Sequence, residues 1–346
     1  DSSPLGNSSF NYVNRNKESV TVDLKSESGR AVFDDLLSEA DVLIENFASG
    51  TTERLGIGYD DLREEHPALI YCSIKGFNPG PYEKFPALDP IAEALSGLMS
   101  VTGHPNQPPV RSGTSFADMT ASLYGALAVM GALRQRDASG KGGKVTAPLF
   151  ESTVALMGYW LSFTEAYDEV PQPLGASHPN WAPYDVFRTD DNEWVFVGPS
   201  SERQWRAMCE ALDLSLHEDD RFATVEKRRQ HRERLTEILA AKLRSIDSET
   251  LVRCLREAGV PVAPVNDMRD VLNDPHLAAT DALAEITTAE GTERSVHVPK
   301  SPVRASEFDP VEPSKPPKLG ENTDTVLEAL GYSREHIDAL REQGAI

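Results

Sequence analysis

At 346 residues the chain exceeds one ordinary domain and has material for about two, each large enough to bury a core. Its 34 basic residues stand against 55 acidic ones, and the formal charge of −21 argues against nucleic acid or an anionic membrane as a main partner. No run approaches the ~18 apolar residues of a membrane span, the opening stretch, which runs on through "LGNSSFNYVNRNK", carries no hydrophobic targeting segment, and Cys72, Cys209 and Cys254 are too dispersed to indicate a disulfide framework or a metal site. A reducing cytoplasm is the expected location. Eleven Lys against 23 Arg on so acidic a chain also fits a halophilic protein, because salt screens the self-repulsion; an ordinary acidic enzyme is the plainer alternative.

The first third alternates helix and strand patterns. "SESGRAVFDDLLSEA" is amphipathic with Ser26 or Ser28 as its cap, and "DVLIENF" follows as a short apolar strand. "GYDDLREEHPAL" and "IYCSIKGF" repeat the alternation, which predicts parallel βαβ units. Ligands collect at the carboxyl ends of such strands. Asn46, Phe47 and the turn to Gly50, with Arg54 just beyond, lie at one such end, and Lys75 and Gly76 at another.

From Phe116 to Arg136 a longer helix is predicted, with Met119, Leu123, Leu127, Met130 and Leu133 on one face and Gly125, Ala128, Gly131 and Ala132 permitting close packing. It stops at "DASGKGG", and "KVTAPLF" is a strand. Glu151 then opens the next helix, where an acidic residue suits the unpaired N–H groups, and it also lies at a strand's carboxyl end. "PQPLGASHPNWAP" marks a loop and a domain crossing; His178 within it reads first as a surface histidine. "YDVFRTDDNEWVFVG" predicts a hairpin turning near Asp191 and Asn192, helices follow from Gln204 to Ala258, and "EKRRQHRER" reads as a solvated helix face. "LAEITTAEGTERSVHVPKSPVRAS" predicts two strands leading back, and "SKPPKLGENTD" a tether before the last helices. Nucleotide-binding glycine loops, a GxSxG elbow and metal motifs are absent.

Taken in order, "VNRNKESVTVDLKSESGRAVFDDLLSEADVLIENFASGTTERLGIGYDDL", "LIYCSIKGF", "DPIAEALSGLMSVTG", "GKGGKVTAPLFES", "GVPVAPVNDMRDVLNDPH" and "LGENTDTVLEALG" resemble the class III coenzyme A transferases. That family includes formyl-CoA and carnitine-type transferases and is related to the α-methylacyl-CoA racemases. The resemblance implies an α/β fold: a Rossmann-like large domain with a smaller α+β domain, in an interlocked homodimer. Residues 1–170 would form the large coenzyme A-binding part, 171–284 the linker and small domain, and 285–346 the return strands and helices completing the large domain. The family's first strand and helix have no counterpart here, and the natural protein is expected to carry them ahead of Asp1.

By the same resemblance Glu151 stands where the family has a catalytic aspartate, and it becomes the nucleophile. Coenzyme A contacts fall on Val22, Asp23, Leu24, Lys25, Asn46, Phe47, Ala48, Arg54 and Asp89. The family's glycine-rich lid is represented by "GASHPNW", with backbone N–H groups near Gly175 and Ser177 as oxyanion donors and His178 and Asn180 facing substrate. Ala87-Leu88-Asp89 replaces the racemases' Gly-His-Asp, which removes one partner of a two-base proton transfer. The implied reaction is transfer of coenzyme A, a substrate rather than a bound cofactor, from an acyl-CoA to a carboxylic acid. A small dicarboxylate such as mesaconate, with succinyl-CoA as donor, fits a site poor in aromatic residues around Glu151. Racemase and non-catalytic acyl-CoA binding protein are the alternatives.

Overall fold

The structure is a computed structural model that describes residues 8–288 and 295–346. The chain divides into two compact units: residues 1–75, 123–147 and 268–346 form one, and 76–122 with 148–267 the other. These bounds differ from the expected ones chiefly in that 76–122 groups with the hairpin and helices of the second unit.

The first unit is built on a sheet in the order β1 (Val42–Glu45), β2 (Ile70–Lys75) and β3 (Gly143–Pro148). β1 and β2 are parallel, with Val42 opposite Ile70 and Glu45 opposite Ser73. Ile70, Tyr71, Cys72 and Ser73 are all buried, as a strand covered on both faces must be. The helix Glu27–Ser38 starts at Ser26, whose hydroxyl accepts from the Gly29 N–H at 3.0 Å. It packs Val32 against Leu327, Ile337 and Leu340 of the last two helices and Ala345 just beyond them, and Leu37 against Leu62, Leu69 and Tyr71. β7 (Leu283–Thr287) and β8 (Ser295–Pro299) pair antiparallel with each other as a separate two-stranded sheet; residues 289–294 between them lie outside the described residues.

The helix Phe116–Ser139 has the expected extent, but its large apolar stripe lies on the side away from the core. Leu123, Leu127 and Met130 are each about two-thirds exposed. Small residues take the inner face: a Cβ on Gly125 would come 3.2 Å from Ile74 Cδ1 and 3.4 Å from Ala147 Cβ, so the backbone sits directly on the sheet. By length and composition this helix is long and apolar enough to cross a membrane, which corrects the expectation that no run approaches a span. The chain then turns through Gly140, with φ of +73°, and Gly142, where a Cβ would fall 2.1 Å from the Leu69 carbonyl oxygen.

In the second unit β4 (Asp185–Arg188), β5 (Trp194–Val197) and β6 (Val262–Pro264) form an antiparallel sheet with β5 central. Asn192, at φ of +63°, makes the predicted hairpin turn. Val195 and Val197 pack with Trp205, Met208, Phe222, Leu235, Leu239, Leu251 and Leu255 from the helices that follow. "EKRRQHRER" is the predicted solvated face at most of its positions, with one exception. Arg228 is only 2 % exposed, donates to the Ala182 carbonyl at 2.7 Å and to both Glu202 oxygens, and lies over the Trp205 ring. Its charge is tolerated because each face of the guanidinium fork finds an acceptor.

Candidate active site

Glu151 is the third residue of the helix Leu149–Leu156, which follows β3 directly, and Pro148 caps the helix without a side-chain bond. The first-turn N–H groups therefore favour a carboxylate there. Two bonds tie this helix start to the turn after β2: the Phe150 N–H donates to the Gly76 carbonyl at 3.1 Å, and the Asn78 N–H donates to Glu151 Oε1 at 3.1 Å. Gly76 is required, since a Cβ there would fall 2.1 Å from that of Ala87. Glu151 Oε2 is buried and has no hydrogen-bond partner among the described residues. A buried carboxylate oxygen left unbonded is costly, and its lone pairs are free for chemistry. Asn78 was missed from the sequence; the strand-end turn "GFNPG" was the available signal.

The surroundings of Glu151 are aromatic, against the expectation. Phe150 and Phe77, the neighbours of Glu151 and Asn78, lie 5.7 Å apart between ring centres. Tyr82 lies 5.6 Å from Phe77 and stacks with Phe85 at 5.3 Å. An aromatic cluster of this kind does not itself select a small acid.

Asp89 is buried, and its Oδ1 accepts from the N–H groups of Ala117 at 2.7 Å and Asp118 at 3.2 Å. Through Oδ1 it caps the long helix, while its buried Oδ2 has no hydrogen-bond partner among the described residues and lies 3.9 Å from Arg111 Nη2. Burial, with Asp89 second, raises the Asp118 pKa.

In the other unit, the turn after β1 is held by Glu45. This side chain, 6 % exposed, accepts from the Ser73 hydroxyl, from Lys75 Nζ at 2.8 Å and from the Phe47 N–H at 2.9 Å. Lys75 Nζ also donates to the Phe47 carbonyl at 2.7 Å. Both backbone polar groups of Phe47 are thereby fixed while its ring stays 42 % exposed. Asn46 and Ala48 are exposed beside it. Gly50, at φ of +76°, leads into the helix Thr51–Arg54, and Arg54 donates to Thr51 Oγ1 at 2.8 Å with no carboxylate partner among the described residues. An exposed guanidinium with no carboxylate partner among the described residues and an exposed aromatic ring, both on the segment that follows β1, suit a phosphorylated ligand with a flat base. Glu45 and Ser73 were not singled out from the sequence, although a glutamate closing the apolar run "VLIE" was a visible signal.

Val22 to Lys25 are held separately. The Asp23 N–H donates to the Ala345 carbonyl at 2.8 Å, and its carboxylate accepts from the Lys25 N–H at 3.0 Å. Val22 packs on the C-terminal helices, Leu24 is half-buried, and Lys25 is exposed.

The loop around Gly175 corrects the expected oxyanion donors. The Gly175 N–H donates to the Gly103 carbonyl at 2.7 Å and the Ser177 N–H to the Leu174 carbonyl at 3.1 Å, so both are engaged. His178 Nδ1 accepts from the Asn180 N–H at 3.1 Å while its ring packs on Trp181 at 4.2 Å. Burial, with the nearby Arg232 charge adding to it, lowers the His178 pKa.

A carboxylate beginning a helix at a strand end, over a chain of this architecture, invites comparison with known proteins. The model of CoA-transferase family III matches residues 3–323. The chain belongs to that family. As a class III enzyme it is an acyl-CoA:carboxylate CoA-transferase with coenzyme A thioesters as substrates. It is 37 % identical to an acyl-CoA transferase of Fusarium pseudograminearum, over all of this chain and 76 % of that one. It is 34 % identical to the succinyl-CoA:mesaconate CoA-transferase of Haloarcula marismortui, over 93 % of this chain and 82 % of the relative. Other relatives are named acetyl-CoA:oxalate and succinyl-CoA:glutarate CoA-transferases. Among solved structures, a CAIB/BAIF family protein from Brucella suis superposes with a TM-score of 0.84 at 32 % identity, covering 93 % of this chain and 83 % of its own.

Proposed function

We propose that the enzyme transfers coenzyme A from succinyl-CoA to a small dicarboxylic acid of the mesaconate or glutarate type, with Glu151 as nucleophile. The observation that carries this reading is the Glu151 carboxylate, oriented through Oε1 and unbonded at a buried Oε2. Its oxygen attacks the thioester carbonyl, the C–S bond breaks, and coenzyme A thiolate leaves a mixed anhydride on the enzyme. The thiolate then attacks the glutamyl carbonyl of that anhydride, releasing the first acid and forming a Glu151–CoA thioester. The acceptor carboxylate attacks this thioester and the thiolate collects the new acyl group from the second anhydride, restoring Glu151. Anhydrides hydrolyse readily, so water must be excluded, and the loop Gly175–Trp181 is the proposed barrier. The dicarboxylate preference rests on the names of the relatives.

Coenzyme A is assigned to the Phe47 turn, Arg54 and Val22–Lys25 of a Rossmann-like large domain, and the protein to the cytoplasm. The exposed stripe Leu123, Leu127 and Met130 is assigned to a second copy of the chain in an interlocked homodimer, where burial removes its contact with water. Light scattering of the pure protein checks this; a monomer at micromolar concentration would refute it. For the reaction, the protein is incubated with succinyl-CoA alone and treated with borohydride or hydroxylamine. The trapped peptide must contain Glu151, and a matrix of acyl-CoA donors against acids then identifies the acceptor. An unmodified Glu151 peptide, or exchange of an α-proton in deuterated water with no acceptor needed, would overturn the assignment.

A further inference from the structure

The loop Gly175–Trp181 is gripped from two sides. At its start Gly175 takes φ of +66°, and a Cβ there would come 2.8 Å from His104 Nδ1, so glycine is the residue that fits against the Gly103–His104 turn. The second grip comes from Arg232, the first residue of the helix Arg232–Leu243. Its Nη1 donates to Ser177 Oγ at 2.5 Å and its Nη2 to the His178 carbonyl at 2.9 Å. Arg229, just before the helix, donates to the Pro179 carbonyl at 2.8 Å and shares its charge with Glu226. A cation in the first turn of a helix opposes the macrodipole, and Arg232 is also half-buried, so helix stability does not explain it. The Asp185 carboxylate favours the Arg232 charge from nearby, and the planar fork of donors is directed onto neutral acceptors of one loop.

We propose that Arg232 is a positioning residue of the transferase: its fork fixes Ser177 and His178 so that the loop keeps water from the anhydride at Glu151. It touches no reacting group, and the proposal rests on the reading of this loop as the water barrier. When water enters, it adds to the anhydride carbonyl, one C–O bond breaks, and two carboxylic acids form while coenzyme A leaves as the free thiol. The partition between transfer and hydrolysis is therefore the quantity that Arg232 sets.

The test uses the full chain with the most active donor and acceptor pair from the matrix above, measuring new acyl-CoA against free coenzyme A released. Arg232→Met should raise the ratio of hydrolysis to transfer about tenfold, with Arg232→Lys between it and wild type and KM for the acyl-CoA within about twofold. Ser177→Ala, which deletes one acceptor and little else, should move the ratio the same way by less. A control variant replaces His178, Pro179 and Asn180 by glycine. If the control raises the ratio while Arg232→Met and Ser177→Ala leave it unchanged, the role of Arg232 is refuted and the barrier stands. If all three leave it unchanged, the barrier reading fails and this proposal with it. Should Arg232→Met lose cooperative melting, Ser177→Ala decides alone, an unchanged ratio counting against the proposal.

Discussion

Two glutamates, each closing a strand or following one, show how the same group is saturated with donors in one place and left partly unbonded in another. Glu45 ends β1 with three donors around it, namely the Ser73 hydroxyl, Lys75 Nζ and the Phe47 N–H. Its oxygens are saturated and its charge is paired, so it is chemically quiet and holds a turn. Glu151 follows β3 with one donor, the Asn78 N–H, and a buried oxygen without a partner among the described residues. The residue type is the same; the difference lies in the number of donors and in depth, since Glu45 is buried and Glu151 half-buried, and it separates a carboxylate that organises backbone from one with lone pairs left over.

The comparison breaks most sharply at Glu151→Gln. This change keeps size and helix position but removes the anionic nucleophile, so transfer should fall by about 10³-fold or more while the melting temperature and coenzyme A affinity stay near wild type. Retained transfer would make Glu151 a helix-start residue like many others. The matching change at the other glutamate should do the reverse. Lys75→Met leaves the Glu45 charge buried without its cation, and loss of a buried partner costs about 3 to 5 kcal/mol, here toward the lower end because Lys75 is one-fifth exposed. Urea unfolding should record that loss, and an unaltered midpoint would show the pair to be weightless.

A smaller effect sharpens the Glu151 side. Glu151→Asp restores the family's usual residue but withdraws the carboxylate by one methylene from Asn78, and a displacement of ~1 Å is enough for a loss of ~100-fold. Wild-type turnover in this variant would mean that the backbone does not discriminate the two lengths. Smallest is Arg54→Ala beside the Glu45 turn, where losing a charged donor to phosphate should weaken coenzyme A by about 1.5 to 3 kcal/mol without unfolding the chain. Isothermal titration of both proteins checks this, and equal affinities would remove Arg54 from the coenzyme region.

Much of the scaffold is legible in residue order. Ser26 before an amphipathic run, Asn192 between two strands and the glycines after the long helix each act through local backbone preferences, which need no distant partner. Glu151 at a strand end was visible for the same reason. The aromatic cluster beside it was not, because Phe77, Tyr82 and Phe85 come from a different stretch of chain and meet Phe150 only after folding.

By itself the sequence determined the family, the alternation of helices and strands, and the position of the candidate nucleophile, since these depend on periodicity, caps and motif order. Tertiary structure decided which polar groups are already used. The N–H groups of Gly175 and Ser177 are engaged by Gly103 and Leu174, one oxygen of Asp89 caps the long helix, and Arg228 is buried on Glu202. It also decided that Gly125, and not Leu123 and Leu127, faces the sheet. The physical reason is common to all of these. A hydrogen bond or a close packing contact has two members, and a residue far along the chain supplies the second.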